Sequence, residues 1–337
     1  MNGYKVVAAV CLSIVACGDD VTEPEPLYPA TVAVSPETGE TKTFADTIHL
    51  TATVRDQNGD IMDSVSVKWS IGDTLVATVS AKGIVTAWRS GVVLVSATAG
   101  RVSDTATITV DLVQRDVLLK FYESLNGDDW TENRNWGTRT TLDTWYGVET
   151  DEEGNVSRLN LGNNGLRGEI PSDVKLLEHL RVLDLSFNDF IEGPIPLEIG
   201  ELQNLTGLLL HHNALTGAIP SVIANLTNLD SLDIHHNQLT GPVPEWLGDL
   251  SQLRILRLWG NNDLTGSVPA SLGNLSHLTW LDFYDTNLSG QLPRSLTNLR
   301  LRGFYWHDTF LCSPPDDEFQ DWLKTIPNTR GHRTCDQ

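Results

Sequence analysis

From Val156 to Leu311 the apolar positions recur in one repeated phrase. Leu183/Leu185, Leu208/Leu210, Leu232/Ile234, Leu256/Leu258 and Leu281/Phe283 are pairs two residues apart, and in an extended strand such pairs project to one face. An Asn stands three residues after each apolar pair along this stretch, as Asn164, Asn188, Asn213, Asn237 and Asn261, with Thr286 and Thr309 in its place at the end. An Asn side chain there can satisfy turn backbone groups that stacked coils would otherwise leave unpaired inside. Gly168, Gly193, Gly217, Gly241, Gly266 and Gly290 permit a bend shortly before Pro171, Pro196, Pro220, Pro244, Pro269 and Pro293. Those prolines lie 25, 24, 24, 25 and 24 residues apart and are predicted to end pairing on the far side of each coil. A period in the twenties with one apolar face per unit predicts a solenoid, in which no coil buries its core alone. The extra residues near Asp189–Glu192 and Asn262–Asp263 fall in loops.

Ahead of this stretch the pattern changes to short alternating runs: Thr31–Val34, Ile48–Val54, Val65–Ser70, Ile84–Ala87, Val92–Thr98 and Thr105–Val110. Several strands at this spacing predict a β-sandwich, with a hairpin at Asn58-Gly59 and Trp69 in the core. Between the two patterns, Val117 to Leu125 has helical spacing and stops before Asn126-Gly127.

The phrases LTNLDSLDIHHNQLTGPVPEWLGDL and LSHLTWLDFYDTNLSGQLPRSL resemble plant-type leucine-rich repeats. VKWSIGDTLVATVSAKGIVTAWRSGVVLVSATAG resembles the bacterial Ig-like group 2 family, and GDDWTENRNWG with TWYGVETDEEGNV resembles the N-terminal cap of leucine-rich repeat ectodomains. In such a cap Trp130, Trp136 and Trp145 cover the open end of the first coil. Plant relatives often carry a Cys pair there; Thr150 stands at that place, so this cap is expected to hold by packing alone. The resemblances imply a multidomain chain: an Ig-like β-sandwich, then a solenoid with parallel β-strands on its concave face, a helical N-cap and a disulfide-tied C-cap. The expected bounds are a signal peptide at 1–16, a linker at 17–30, the Ig-like domain at 31–112, the N-cap at 113–155, the repeats at 156–311 and the C-cap at 312–337. The repeats imply recognition of a protein, peptide or glycan, and the Ig-like domain implies a spacer or adhesion module.

Lys5 followed by the apolar run Val6–Val15 reads as a cleaved targeting segment. Ile14-Val15-Ala16-Cys17 resembles a bacterial lipobox, which implies cleavage before Cys17 and lipid attachment to it; ordinary secretory cleavage near Ala16 is the alternative. Gly18 follows, so the usual Asp signal for inner-membrane retention is absent there, and an outer-membrane or surface location is expected. With Cys11 removed and Cys17 acylated, Cys312 and Cys335 remain, and in an exported protein one disulfide is the simplest outcome. No apolar run has the length of a membrane-spanning helix. VTEPEPLYPA, rich in Pro, Glu and Thr, would hold the next domain off an anchor.

With 23 Lys and Arg against 44 Asp and Glu, the net charge is −21. Such a surface repels nucleic acid and anionic headgroups, so membrane contact is expected only through the N-terminal lipid. No Gly-rich phosphate loop, HExxH or GxSxG motif is present, and no enzyme activity, cofactor or metal is expected. Asp151-Glu152-Glu153-Gly154 lacks the alternating ligands of a calcium loop and reads as a solvated turn. The sequons at Asn204, Asn225, Asn274 and Asn287 arise from the repeat phrase itself.

The candidate chemistry lies between and just after the strand leucines, on the concave side. One column reads Asn160, Asp184, Leu209, Asp233, Arg257, Asp282 and Tyr305. The next reads Gly162, Ser186, His211, His235, Trp259, Tyr284 and His307, and the third Asn163, Phe187, His212, His236, Gly260, Asp285 and Asp308. Trp280 and His277 lie nearby. With strands about 4.8 Å apart these columns form contiguous ladders. Flat aromatic faces beside carboxylate acceptors suit a glycan or a peptide. The alternatives are an adhesive or structural surface with no discrete ligand, and more remotely a glycan-acting enzyme using Asp233 and Asp282 as paired carboxylates. Zinc shared by His211 and His235 is a further option, and stacked imidazoles would repel one another once protonated.

Overall fold

The computed structural model describes residues 25–42, 44–331 and 333–335. The targeting segment and Cys17 lie outside the described residues. No helix among the described residues is long and apolar enough to cross a membrane.

The alternating region folds as an Ig-like sandwich. One layer orders Thr38–Thr41, Val102–Val110, Gly91–Ala99 and Lys68–Ile71; the other strands form Pro29–Ser35 with Thr51–Asp56, and Thr47–His49 with Ile84–Ala87 and Ala77–Val79. Their inward residues, among them Val34, Leu50, Val85, Val95 and Ile108, make one core. Two expectations need correction. Asn58-Gly59 turns the chain, yet the strands on either side do not form a hairpin. Thr51–Asp56 pairs with Pro29–Ser35, Lys68–Ile71 pairs with Gly91–Ala99, and the turn itself is closed by the bridge Arg55↔Ile61 with backbone bonds from Asp56 N to Asp60 O at 3.0 Å and from Met62 N to Val54 O at 2.9 Å. Asp56 explains this: its carboxylate takes the N–H groups of Asn58 and Asp60 at 2.8 and 3.0 Å, capping the turn locally. Trp69 packs against the core from a half-buried edge position rather than inside it.

The helix Val113–Ser124 buries Val117, Leu118 and Phe121 and ends where Asn126 turns left-handed at φ 57°. Trp130, Trp136 and Trp145 interlock at centroid distances of 4.9 and 5.1 Å and close the first coil without a disulfide. Arg115 and Arg139 join this cap to the Ig-like domain. Arg115 lies 3.9 Å over the Phe44 ring while donating to the Thr138 and Thr140 carbonyls. Arg139 donates to Thr74 O at 2.7 Å.

Beyond it the coils stack in two sheets, parallel throughout except for the antiparallel pairing of Val148–Thr150 with Val156–Asn160. The first has nine strands, beginning with Val148–Thr150 and Val156–Asn160 and ending with Gly303–Tyr305 and Asn328–Arg330. The second has seven, from Arg167–Glu169 to Phe310–Cys312, on the far side of each coil. The Gly-containing segments before the prolines are therefore themselves paired, where bends were expected. Identical coils repeat one backbone conformation at each level, so even a strand of three to five residues meets a partner above and below. Pro171, Pro196, Pro220, Pro244, Pro269 and Pro293 then each open a 3₁₀ turn. The leucine pairs are fully buried between the sheets.

The Asn ladder closes the remaining backbone groups. Asn261, fully buried, donates to Ile234 O and Leu258 O at 3.1 and 2.8 Å and accepts from Leu239 N at 3.1 Å. Thr286 and Thr309 each give a single hydroxyl bond to a carbonyl of their own turn, at 2.6 Å. Cys312 and Cys335 are disulfide-bonded, tying the tail to the last coil beside the bridge Ser313↔Thr334.

Candidate functional site

The nine-stranded sheet carries three registered columns on the face opposite the leucine core. Asn160, Asp184, Leu209, Asp233, Arg257, Asp282 and Tyr305 align in register, and Arg330 extends the row. Just beyond each strand the chain turns left-handed at Asn163, Phe187, His212, His236, Gly260, Asp285 and Asp308, with φ between 49° and 68°. The turn lets the ladder of inter-coil hydrogen bonds continue past the strand: His212 N donates to His235 O at 3.0 Å and His236 N to Trp259 O at 2.8 Å. Asn, Asp and His tolerate this backbone better than most residues, and Phe187 occupies it only because the stack imposes it.

Those turns set the side chains of the intervening column directly over one another. His211 stacks on His235 at 4.4 Å, His235 on Trp259 at 4.2 Å, Trp259 on Tyr284 at 4.4 Å and Tyr284 on His307 at 4.6 Å, all within 15° of parallel. A second run, Phe187 on His212 and His212 on His236, lies beside it at 4.4 and 4.3 Å. The rings thus spend their faces on each other and offer ring edges outward. This corrects the expectation of flat aromatic faces open to a ligand: the strand spacing matches ring-stacking distance, so neighbouring rungs collapse together.

Beneath the rings lies a charge cluster. Asp233 and Asp282 are 3% and 4% exposed. Arg257 reaches both, with Nη1 3.1 Å from Asp233 Oδ2 and Nε 3.4 Å from Asp282 Oδ2. His235 Nδ1 bonds Asp233 Oδ1, and His211 Nδ1 stands 3.8 Å from the same oxygen. Burial pushes the Asp233 carboxyl up, but the His235 hydrogen bond and the charges of His235, His211 and Arg257 outweigh it and hold it below the usual range. Asp282 receives less help. Burial, with Asp233 adding to it, pushes its carboxyl up to about 6 against the pull of Arg257. Burial beside Asp282 and Asp285 pushes Tyr284 up to about 12. Burial lowers His211, His212 and His236, and the neighbouring imidazoles add to this for all three.

His211, Asp233 and His235 bring three potential metal ligands within 4.8 Å of one another. Both imidazole Nδ1 atoms face Asp233 Oδ1 from stacked rings, with His235 hydrogen-bonded to it, and Arg257 holds the other oxygen.

Of the residues singled out from sequence, His211, His235, Trp259, Tyr284 and His307 form the ring column; Asp233, Arg257, Asp282 and Tyr305 lie in the strand row; His212 and His236 sit at the left-handed turns. Trp280 lies flat over Gly303, where a Cβ would collide with its ring, and parallel to Tyr305 at 6.3 Å. His277 is apart from the face, its Nδ1 3.0 Å from Ser251 O. The residue not anticipated is Arg330. It comes from the tail, whose strand Asn328–Arg330 carries no leucine pattern and pairs only because the last coil leaves an open edge. His235, Arg257, Trp259, Asp282, Tyr284, Tyr305, His307 and Arg330 line one hollow of about 530 Å³. A larger one of about 730 Å³ lies at the junction of sandwich and cap, between Phe44, Leu112, Arg115 and the acidic turn at Asp151–Gly154, away from these ladders.

Comparison with known proteins matches residues 158–313 to the leucine-rich repeat region family and residues 30–110 to the bacterial Ig-like domain (group 2). Receptor-like protein 7 of Arabidopsis thaliana is 40% identical over 106 residues, which cover 31% of this chain and 11% of that protein. The chain thus spans about a tenth of the length of the curated receptor. Among solved structures, the ectodomain of the Arabidopsis receptor kinase HAESA, in complex with an IDA peptide hormone ligand, superposes with TM-score 0.57 at 29% identity, covering 64% of this chain and 36% of that one. A plant ice-binding protein superposes with TM-score 0.55 at 25% identity, covering 66% and 77%.

Proposed function

We propose that this chain, an Ig-like domain joined to a leucine-rich repeat ectodomain, is an exported recognition protein whose nine-stranded concave sheet binds a peptide or protein. The observation that carries this reading is unmet hydrogen-bonding capacity on that face. Three of the six buried side-chain atoms without a hydrogen-bond partner among the described residues, His211 Nδ1, His307 Nδ1 and Asp282 Oδ1, lie there, and the other three are Trp145 Nε1, Trp306 Nε1 and Asp316 Oδ2. A sheet face built only for stability would satisfy such groups or replace them with apolar ones. Peptide ligands of similar ectodomains, such as the one bound to HAESA, support the class.

A glycan is the weaker candidate, because sugars stack on ring faces and these faces are occupied by one another. Ring edges, carboxylates and imidazoles suit the amide and side-chain groups of a polypeptide. Glycoside hydrolysis is weaker still: Arg257 sits between Asp233 and Asp282, where a substrate would have to lie. The disulfide supports an oxidising, exported setting. The lipid anchor at Cys17 and the role of the Ig-like domain as a stalk rest on the sequence resemblance and belong to this proposal.

The test is binding of the full chain to peptide and glycan arrays, beside a variant carrying His235→Ala, Trp259→Ala and Tyr284→Ala with thermal unfolding matched to the parent. Peptide binding by the parent alone supports the reading. Equal binding by both proteins, or by neither, moves the assignment to an adhesive or structural role with no discrete ligand.

A further inference from the structure

The unmet group with the most definite chemistry is Asp282. Its Oδ2 lies 3.4 Å from Arg257 Nε, whereas its Oδ1 is buried with no partner among the described residues. The same guanidinium turns Nη1 on Asp233, which also has His235. One cation therefore serves two buried carboxylates, and the better-served of them is Asp233. A carboxylate oxygen taken out of water without a donor is costly, and the cost is recovered when a donor arrives.

The hollow beside Asp282 is walled by Trp259, Tyr284 and Tyr305. Tyr305 meets Tyr284 at 70°, so this ring is turned out of the parallel column. A carboxylate with one free oxygen at the foot of a hollow is the complement of a cation that donates hydrogen bonds; the faces of Trp259 and Tyr284 are taken by their neighbours in the column and add nothing to it. Two buried carboxylates, Asp282 in the hollow and Asp233 outside its lining, share one partly exposed guanidinium. Arg330, the second cation of the lining, opposes an incoming cation from an exposed position where water screens its charge.

We infer that this hollow is a specificity subsite for a cationic side chain of the bound partner, a Lys ammonium or an Arg guanidinium, with Asp282 Oδ1 as its acceptor. The inference rests on the concave sheet being the binding face and adds the class of residue read there. It also gives the long acidic surface a role, since a basic partner is drawn toward a chain of net charge −21.

The probes are n-butylguanidinium and n-butylammonium, with n-butanol as the neutral equivalent, titrated into the full chain at neutral pH. Binding is followed by the indole N–H signals of Trp259 and Trp280 and by the carboxyl carbon of Asp282, assigned from the Asp282→Asn spectrum. Both cations are expected to bind and n-butanol not to. Asp282→Asn is expected to weaken the cations at least tenfold, while Asp285→Asn, which removes an exposed acid of the same region, changes them less than twofold. In the unaltered protein, n-butylguanidinium lowers the titration midpoint of the Asp282 carboxyl, a readout that needs no folded variant. Equal binding of n-butanol, an equal loss in Asp285→Asn, or an unmoved Asp282 midpoint overturns the inference. Array binding that is lost in the ring-column variant, together with silent cation probes, would refute this subsite and leave the concave reading standing. Cation binding at Asp282 without any array ligand would do the reverse.

Discussion

Replacing Asp282 by Asn isolates one charge whose consequence for stability has a definite sign. The carboxyl titrates near 3.8 in an unfolded chain and is pushed up to about 6 in the fold. The native state therefore holds the proton more tightly. Below the unfolded value both states are protonated and burial of the group carries no ionic penalty. As pH rises through the folded value the buried group must ionise, and stability is lost. The gap corresponds to about 3 kcal/mol, incurred between roughly pH 4 and pH 7. Asp233 works in the opposite sense: its carboxyl is held low, so its contribution is present at neutral pH and lost as pH falls through its folded value. It does not cancel between the two proteins: without the Asp282 charge and with Arg257 left to it alone, Asp233 is held lower still, which adds to the variant's gain as pH rises. Urea unfolding at pH 4, 5, 6, 7 and 8, followed by tryptophan fluorescence, gives that difference directly. Wild type should lose about 2.4 kcal/mol relative to Asp282→Asn over this range, since part of the loss is already incurred at pH 4, which for a region of this size is about 5–10 °C in Tm. A difference that stays constant within about 0.5 kcal/mol, or wild type gaining on the variant as pH rises, would refute the reasoning.

Three further outcomes follow from the packing. Asn261→Ala strands two carbonyls and one N–H in the interior, so it should cost at least ~3 kcal/mol in urea unfolding, whereas Thr286→Val, which loses one bond, should cost only ~1 kcal/mol. Cys335→Ser opens a loop spanning 23 residues and should cost about 3 kcal/mol by the chain-entropy estimate, with Asn328–Arg330 the first strand to lose hydrogen-exchange protection. Gly303→Val places a branched side chain against the Trp280 ring; a loss of ~1–3 kcal/mol and red-shifted tryptophan emission are expected, and unchanged emission would mean the ring does not lie there.

The solenoid was legible in the sequence because its core repeats. Every coil must place leucine at the same depth and an amide at the same turn, so the pattern is written several times over. The columns of the nine-stranded sheet followed from the same register. What those columns do with their side chains was not legible. Whether stacked His, Trp and Tyr expose faces or edges depends on the left-handed turn after each strand, and Phe187 or His212 gives little local hint of φ above zero. The sharing of Arg257 by Asp233 and Asp282 depends on which rotamers meet across rungs, beyond the reach of spacing alone. The second sheet was hidden because Gly and Pro read as punctuation in a single segment. Its pairing is a property of the stack. Arg330 was hidden for a related reason, since an open sheet edge recruits whatever strand the tail supplies. In the Ig-like domain Asn58-Gly59 signalled a hairpin; the chain reverses there, yet the partners of the flanking strands were decided by the sandwich topology.

The most direct test of the central claim is a hydrogen-exchange footprint of the full chain with and without its array-selected peptide. The account predicts that protection rises along the nine-stranded sheet, at the turns following Asp233, Arg257 and Asp282 and at Asn328–Arg330, while the seven-stranded sheet and the Ig-like domain are unchanged. Protection centred on the seven-stranded sheet, or on the junction of sandwich and cap, would contradict it.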